Sequence, residues 1–389
     1  MSDFMNVKIR QLSAVDFDEA IEVMNHAFFV DDSRDFRTLL PKLYRATDEL
    51  MSCNYAAVCD GRIRAIVGMF PLSWCIDDTQ LRMTGIGGVC THPEYRKRGL
   101  MQKLMPHCLN EARSQGYHLS WLGGQRQRYA YFGYETCGTA IQFTLNRRNI
   151  RHTAGPDFPI RFEVIEREDG DRLQRVCELH SAQAVRAQRS ESELYPLLIS
   201  WGARPHAALL HGDMVGYVVI DPNGTLDELV AEDDDTALAI VRAWVEHGEH
   251  SEHAMITLRL GSLDGALLSK LADISEDAAV TQSGNWQVFD WVTVIQTLLK
   301  ARLARSPLVH GAVKVSIEGY GVLEIEVSAG GAGCRLVSGA AALQCDSLLA
   351  HRLLFGPLRP SEVMQLPMQA QALEAWCPLP LYWERQDGV

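Results

Sequence analysis

Between residues 7 and 150 the spacing of apolar positions changes several times. VKIRQL reads as a strand, and residues 16–28 place their apolar side chains on one helical face. From 54 to 90, in NYAAVCDGRIRAIVGMFPLSWCIDDTQLRMTGIGGVC, apolar and polar positions alternate in places, which predicts antiparallel strands with Asp60-Gly61 and Asp77-Asp78 at hairpin turns. Across 100–115, Leu100, Leu104, Cys108 and Ala112 recur at helical spacing, and Gly116 stops the helix. HLSWLGG predicts a short strand, RQRYAYFGY a compact turn or helix, and AIQFTLNR a strand closing the unit. The Gly/Pro-bearing HTAGPDFP then marks a boundary near 150–160.

A second mixed unit follows the same grammar. RFEVI reads as a strand, 171–190 as a helix, AALLHGDMVGYVVID as a hairpin around Gly212-Asp213, and LDELVAE as a strand before a helix over 235–247 and the strand AMITLRL. NWQVFDWVTVIQTLLKARL, a strand entering a helix, opens a third unit. A strand meander follows, then the helices SLLAHRLLFG and SEVMQLP and the tail WCPLPLYWERQDGV.

A chain of 389 residues exceeds the roughly 250–300 that one core supports, so two or three domains are expected. The hydrophobic fraction of 47% and charged fraction of 22% are those of an ordinary globular protein. A net charge of -12 repels phosphate backbones, which argues against nucleic acid as a partner and is compatible with cationic small molecules. The ten cysteines form no zinc-type spacing, so no metal is expected and a reducing cytosol fits. The N-terminus lacks a signal-peptide pattern, and no run reaches the ~18 apolar residues of a membrane span, so the expectation is a cytoplasmic protein with no membrane partner.

The most informative stretch is GIGGVCTHPEYRKRGLMQKLM, residues 85–105, where a strand leads through a basic, Gly-containing loop into a helix N-terminus. First-turn amides have no internal partners and the helix dipole adds positive potential, so this arrangement cradles a pyrophosphate. Arg96, Lys97 and Arg98 add cationic charge, Gly99 permits close backbone approach, and Pro93 leaves the strand end at 89–91 free to pair with an extended ligand. A basic loop standing alone is more often solvated surface; the flanking strand and helix set this one apart.

These residues, a strand ending in Val89, then Pro93, Arg96-x-x-Gly99-x-Met101 and an amphipathic helix, resemble the pyrophosphate-binding motif of the GNAT acetyltransferase superfamily. Met101 stands where that motif usually has a small residue. The resemblance implies that Val89, Cys90 and Thr91 hold the pantetheine arm of acetyl-coenzyme A, and that Arg96, Lys97, Arg98, Gly99, Leu100, Met101 and Gln102 hold the pyrophosphate.

RYAYFGYE, residues 128–135, together with the three-unit layout, is similar to the enhanced intracellular survival (Eis) acetyltransferases. That resemblance implies an α/β (α+β) fold: a catalytic GNAT unit over 1–150, a second, degenerate GNAT unit over 151–285, and a sterol-carrier-like unit over 286–389 that presents the chain terminus. It makes Tyr129 the acid that protonates the leaving thiolate, leaves Tyr131 and Tyr134 for packing, and adds coenzyme contacts at Gly124 and Gln125. A phenol with pKa near ~10 carries its proton at neutral pH.

The base implied is the terminal carboxylate of Val389, which at a pKa of ~3.5 is weak unless desolvated or acting through water. The second unit lacks the basic Gly loop, so a structural role is expected of it, with Glu232 to Asp235 stabilising a helix N-terminus. The acceptors implied are aminoglycosides, other polyamine-like molecules or lysine side chains, and the assembly implied is a homo-oligomer, a hexamer. Asp31, Asp32 and Asp35 either add negative charge near the acceptor or lie on the surface, and the surface is favoured. Two rival readings are a non-catalytic acyl-coenzyme A sensor and a lipid carrier built on the third unit.

Overall fold

Two-residue turns join the predicted hairpin strands, with both residues left-handed in two of them and only Asp77 (φ 49°) left-handed in the Asp77-Asp78 turn. Asp60 (φ 51°) and Gly61 (φ 75°) connect Asn54–Cys59 to Arg62–Ile76, and His211 (φ 55°) and Gly212 (φ 103°) connect Arg204–Leu210 to Asp213–Ile220. The second turn lies one residue before the expected Gly212-Asp213. The structure, a computed structural model, describes residues 7–29, 34–153, 155, 158–247 and 254–389. Asp31 and Asp32 lie outside the described residues, and Asp35 caps the short helix Phe36–Leu39 by accepting the Arg37 N–H at 2.8 Å.

In chain order the strands are β1 (Val7–Gln11), β2 (Asn54–Cys59), β3 (Arg62–Ile76), β4 (Thr79–Thr91), β5 (Leu119–Leu122), β6 (Glu135–Cys137) and β7 (Ala140–Leu145). Then come β8 (Ile160–Val164), β9 (Val185–Ala187), β10 (Arg204–Leu210), β11 (Asp213–Ile220), β12 (Leu226–Ala231), β13 (Ile256–Gly261), β14 (Asp277–Thr281) and β15 (Gly284–Val288). The last four are β16 (Gly311–Ile317), β17 (Gly321–Ser328), β18 (Gly331–Val337) and β19 (Leu343–Cys345).

They form three sheets. The first runs β1-β2-β3-β4-β5-β15-β6 with β9 beside β3, the second β14-β7-β13-β12-β11-β10-β8, and the third β18-β17-β16-β19. The sheets do not follow the expected linear division. β7, expected to close the first unit, lies between β14 and β13 of the second sheet, and β15, expected to open the third unit, lies between β5 and β6 of the first. The second sheet therefore takes β7 from the first stretch of chain, the first sheet takes β9 and β15 from later stretches, and the third is built from its own strands alone.

The helix expected over 171–190 ends at Ser181, because residues 185–187 extend as β9 and pair with Trp74, Cys75 and Ile76 of β3. The other long helices follow their patterns closely, at Phe17–Phe28, Leu100–Ser114 and Asp234–His247. The acidic run caps the last of these, with Asp233 accepting the Thr236 N–H at 2.8 Å.

The largest core joins the first sheet to the third through the buried face of the helix Trp291–Arg305. Trp74 and Trp286 lie there with ring centroids 6.2 Å apart, beside Trp376 and Trp383. Each indole buries roughly 150–250 Å², on the order of 4–6 kcal/mol at about 25 cal/mol per Å². The swapped β15 is thus held by its side chains as well as its ladder.

Candidate active site

The site is built around the end of β4. β3 pairs with β4 from Ile76↔Thr79 to Ala65↔Thr91, but the register slips between Ile66 and Gly68, where Gly88 is left-handed at φ 59°. β5 pairs in parallel with β4 only at Met83, Thr84 and Gly85. Beyond Gly85 the two strands part, and the β4 edge facing β5 is open. The His92 N–H is taken by Arg64 of β3 at 2.9 Å, so by strand alternation the Thr91 amide faces the open edge. Val89, Cys90 and Thr91 therefore sit where an extended ligand can add as a strand, with the Cys90 thiol buried and its pKa pushed up to about 12 by desolvation.

The loop that follows carries the anion cradle. After the turn Pro93–Tyr95, Lys97 (φ 63°) and Gly99 (φ 75°) are left-handed, with Arg98 between them. Such alternation turns successive N–H groups toward one point. Gly99 is the N-cap of Leu100–Ser114 with no side chain capping the first turn, which leaves the amides of Leu100, Met101 and Gln102 without intrahelical partners. The three basic side chains are exposed. Arg96 donates to the Ala27 carbonyl at 3.2 Å, and Arg98 and Arg64 lie over the Tyr95 ring at 4.6 and 4.3 Å. These residues suit a pyrophosphate by backbone amides and by charge together.

Tyr129 lies on the helix Arg126–Ala130, in one cluster with Ile86, Val89, Met101 and Leu122. Gly124 (φ 126°) makes room for its ring, since a Cβ there would meet Tyr129 Cε2 at 2.7 Å. Burial raises the Tyr129 phenol above its ordinary pKa, and Arg128 offsets part of that rise. Gly124 and Gln125 are exposed beyond the end of β5, with the Gly124 carbonyl accepting from Asn285 of the inserted β15 at 3.0 Å. Tyr134 is fully buried and shares a 2.7 Å hydrogen bond with Ser120, as packing requires. Tyr131 is not a packing residue: it is 72% exposed, its ring edge-on to Phe132.

The chain terminus reaches the same strand. A Cβ at Gly87 would stand 3.0 Å from the terminal carbon of Val389, and one at Gly85 would stand 2.5 Å from Val389 Cγ2. Only glycine at these two positions leaves room for the last residue, which also packs against the cluster containing Tyr44, Phe70 and Cys90. Its anchor is ionic. Asp387 is buried against Arg189, and the Lys42 ammonium donates to the Gln386 carbonyl at 2.6 Å. Burial lowers the Lys42 pKa to about 8.

Beside Val389 lies a cavity of about 520 Å³ with walls from Leu43, Leu72, Tyr117, Leu197 and Trp383. Asp387, Arg189, Lys42 and the glycines of β4 were not singled out in the sequence. The one local signal was GIGG inside a strand, where glycine is poorly suited unless another backbone or ligand comes close.

Residues 8–137 match the family described as acetyltransferase (GNAT) domain. No curated protein matches the chain. Among solved structures, a GCN5-related N-acetyltransferase from Kribbella flavida is 18% identical with a TM-score of 0.68, covering 99% of each chain. A conserved protein of unknown function from Enterococcus faecalis, a probable N-acyltransferase, is 17% identical over 97% of each chain with a TM-score of 0.69. Eis1 from Mycobacterium abscessus is 15% identical with a TM-score of 0.67, over 98% of this chain and 100% of that one. At these identities the likeness is one of fold, and it extends over the whole length. Residues 8–137 are thus similar to a GNAT acetyltransferase domain, and the fold of the whole chain resembles that of the Kribbella flavida protein and of Eis1.

Proposed function

We propose that the chain transfers the acetyl group of acetyl-coenzyme A directly to a primary amine held in the cavity beside Val389. GNAT domains use acetyl-coenzyme A, and the open β4 edge with the left-handed loop at Lys97–Gly99 fits its pantetheine arm and pyrophosphate. The observation that carries the reading is the terminal carbon of Val389 against Gly87, in the strand whose free edge would hold the thioester arm.

In this reading the amine nitrogen attacks the thioester carbonyl carbon and gives its proton to the Val389 carboxylate, directly or through one water. The carbon–sulfur bond then breaks, and the Tyr129 O–H supplies the proton to the leaving sulfur. Burial keeps that phenol protonated across the neutral range. In the same reading the amides at the β4 bulge bear the charge that develops on the carbonyl oxygen.

Around the cavity, Lys42, Arg82 and Arg189 are balanced by Glu193, Asp387 and the terminal carboxylate. With apolar walls and no excess of negative charge, it favours an amine on an apolar or zwitterionic body over a polycation. Lysine side chains and compact amines are therefore preferred acceptors to aminoglycosides. A homo-oligomer, hexameric by the same resemblance, and a cytoplasmic setting belong to this reading. Among the described residues no helix is long and apolar enough to cross a membrane.

The test is thiol release from acetyl-coenzyme A with a panel of lysine derivatives, arylalkylamines and aminoglycosides. Tyr129→Phe is expected to lower kcat at least about 10²-fold, the usual contribution of a general acid, with cofactor affinity retained. Full turnover in Tyr129→Phe removes it as the acid. Tight cofactor binding without turnover on any amine favours the sensor.

A further inference from the structure

We propose that Arg189 and Lys42 are positioning residues that clamp the chain terminus against β4, so that the second unit, lacking a basic cofactor loop, serves the reaction by holding its base. The inference rests on the terminal-carboxylate reading above.

The Arg189 side chain is 3% exposed, and its guanidinium donates to two carboxylates and, at 3.4 Å, to the Tyr217 hydroxyl. Nε and Nη2 donate to Asp387 at 2.9 and 2.8 Å, while Nη1 and Nη2 donate to Glu228 at 2.8 and 3.0 Å. The Tyr217 hydroxyl donates to the same Glu228 Oε1 at 2.6 Å, and His180 Nδ1 lies 3.6 Å from it. A buried network of this kind adds little net stability over apolar residues of the same volume; what it supplies is a unique geometry. That geometry is applied two residues before the end of the chain.

Two residues span at most about 7 Å, so the grip on Asp387 restricts where the Val389 carboxylate can stand. The first unit grips the same turn through the Lys42 bond to Gln386, and the Gln386 amide also donates to the Leu197 carbonyl. The position of Arg189 is itself set by the sheet. Ala187 pairs with Trp74, and the Gln188 N–H donates to the Ser73 carbonyl at 2.8 Å, which carries Arg189 alongside β3 to the tail. A base placed this way is complete only when all three stretches of the chain are docked.

The experiment compares three full-length variants. Arg189→Ala is assayed with and without added methylguanidinium, Asp387→Asn supplies a near-isosteric change, and a chain lengthened by one alanine displaces the terminal carboxylate while leaving the clamp intact. The expected result is a fall in kcat of about 10²-fold for Arg189→Ala, the scale of a 1 Å misplacement, and about tenfold for Asp387→Asn. The acetyl-coenzyme A KM stays near the wild-type value, and methylguanidinium restores part of the kcat of Arg189→Ala. If Arg189→Ala does not fold, Asp387→Asn decides.

Wild-type kcat in Asp387→Asn, or a loss in Arg189→Ala that the added cation does not restore, overturns the clamp while the lengthened chain stays inactive. Full activity of the lengthened chain overturns the terminal-base reading itself, and the clamp's catalytic role with it.

Discussion

Gly87 and Val389 stand 302 positions apart in the chain, yet a single methyl group on the glycine would come within 3.0 Å of the terminal carbon of the valine. The last residue is thus fitted against β4, next to the part of that strand whose edge is open.

Gly87→Ala should therefore separate catalysis from folding. Gly87 has no left-handed backbone, so alanine is tolerated by the strand itself. The added methyl must displace the terminus. The expected outcome is a fall in kcat of tenfold or more, since misplacements of about 1 Å cost up to 10²-fold, with a melting temperature within a few degrees of wild type. Steady-state kinetics beside a thermal melt check it, and unchanged kcat would place the terminus away from the reacting atoms.

The loop makes a different prediction. At Gly99 a Cβ would meet only the flexible end of Gln102, at 3.5 Å, so the penalty for a side chain there is conformational. A β-branched residue at φ 75° costs roughly 1–2 kcal/mol, enough to reshape the cradle. Gly99→Val should raise the acetyl-coenzyme A KM about tenfold or more, where 1.4 kcal/mol is a factor of ten, with a smaller effect on kcat. Titration calorimetry with coenzyme A measures the same loss directly.

Acid stability is expected to report on His351. This imidazole is fully buried between Val288, whose N–H donates to Nε2 at 3.0 Å, and the Ser347 carbonyl, 2.6 Å from Nδ1. Burial lowers its pKa from 6.5 to about 4. Above pH 6.5 both folded and unfolded states are neutral; between 6.5 and about 4 only the unfolded chain takes up the proton, so stability falls as pH falls. The full effect is on the order of 3 kcal/mol. Denaturant melts from pH 7 to 4 should be steeper for wild type than for His351→Gln, and parallel slopes would mean that the ring protonates in place.

Much of the backbone of the β4–helix loop was legible in the sequence, for a local reason. Between Pro93 and Gln102 the cradle is made by backbone turns and first-turn amides of one continuous segment, so proline, glycine and the helical spacing of Leu100, Leu104, Cys108 and Ala112 were sufficient to find it. The Asp60-Gly61 turn was legible for the same reason, since two adjacent residues adopt it whatever the rest of the chain does.

Nothing local distinguishes β7 from a strand that stays at home, or β15 from the start of a new unit; each is an apolar run that several sheet edges would accept. The choice is made by what lies on either side, as Trp286 of β15 shows by settling against Trp74 of β3. The helix expected to reach residue 190 likewise stopped at Ser181 because β3 had an edge to offer at Trp74–Ile76. Asp387 looked like an ordinary acidic residue in a polar tail until Arg189, 198 positions earlier, met it in the interior. The sequence by itself determined the Asp60-Gly61 turn, the helices at 17–28 and 100–114 and the loop between Pro93 and Gly99, because their hydrogen bonds close within a few residues. Only the tertiary structure decided which sheet each swapped strand joins and where the last carboxylate stands, because those depend on partners that the chain brings together from hundreds of residues away.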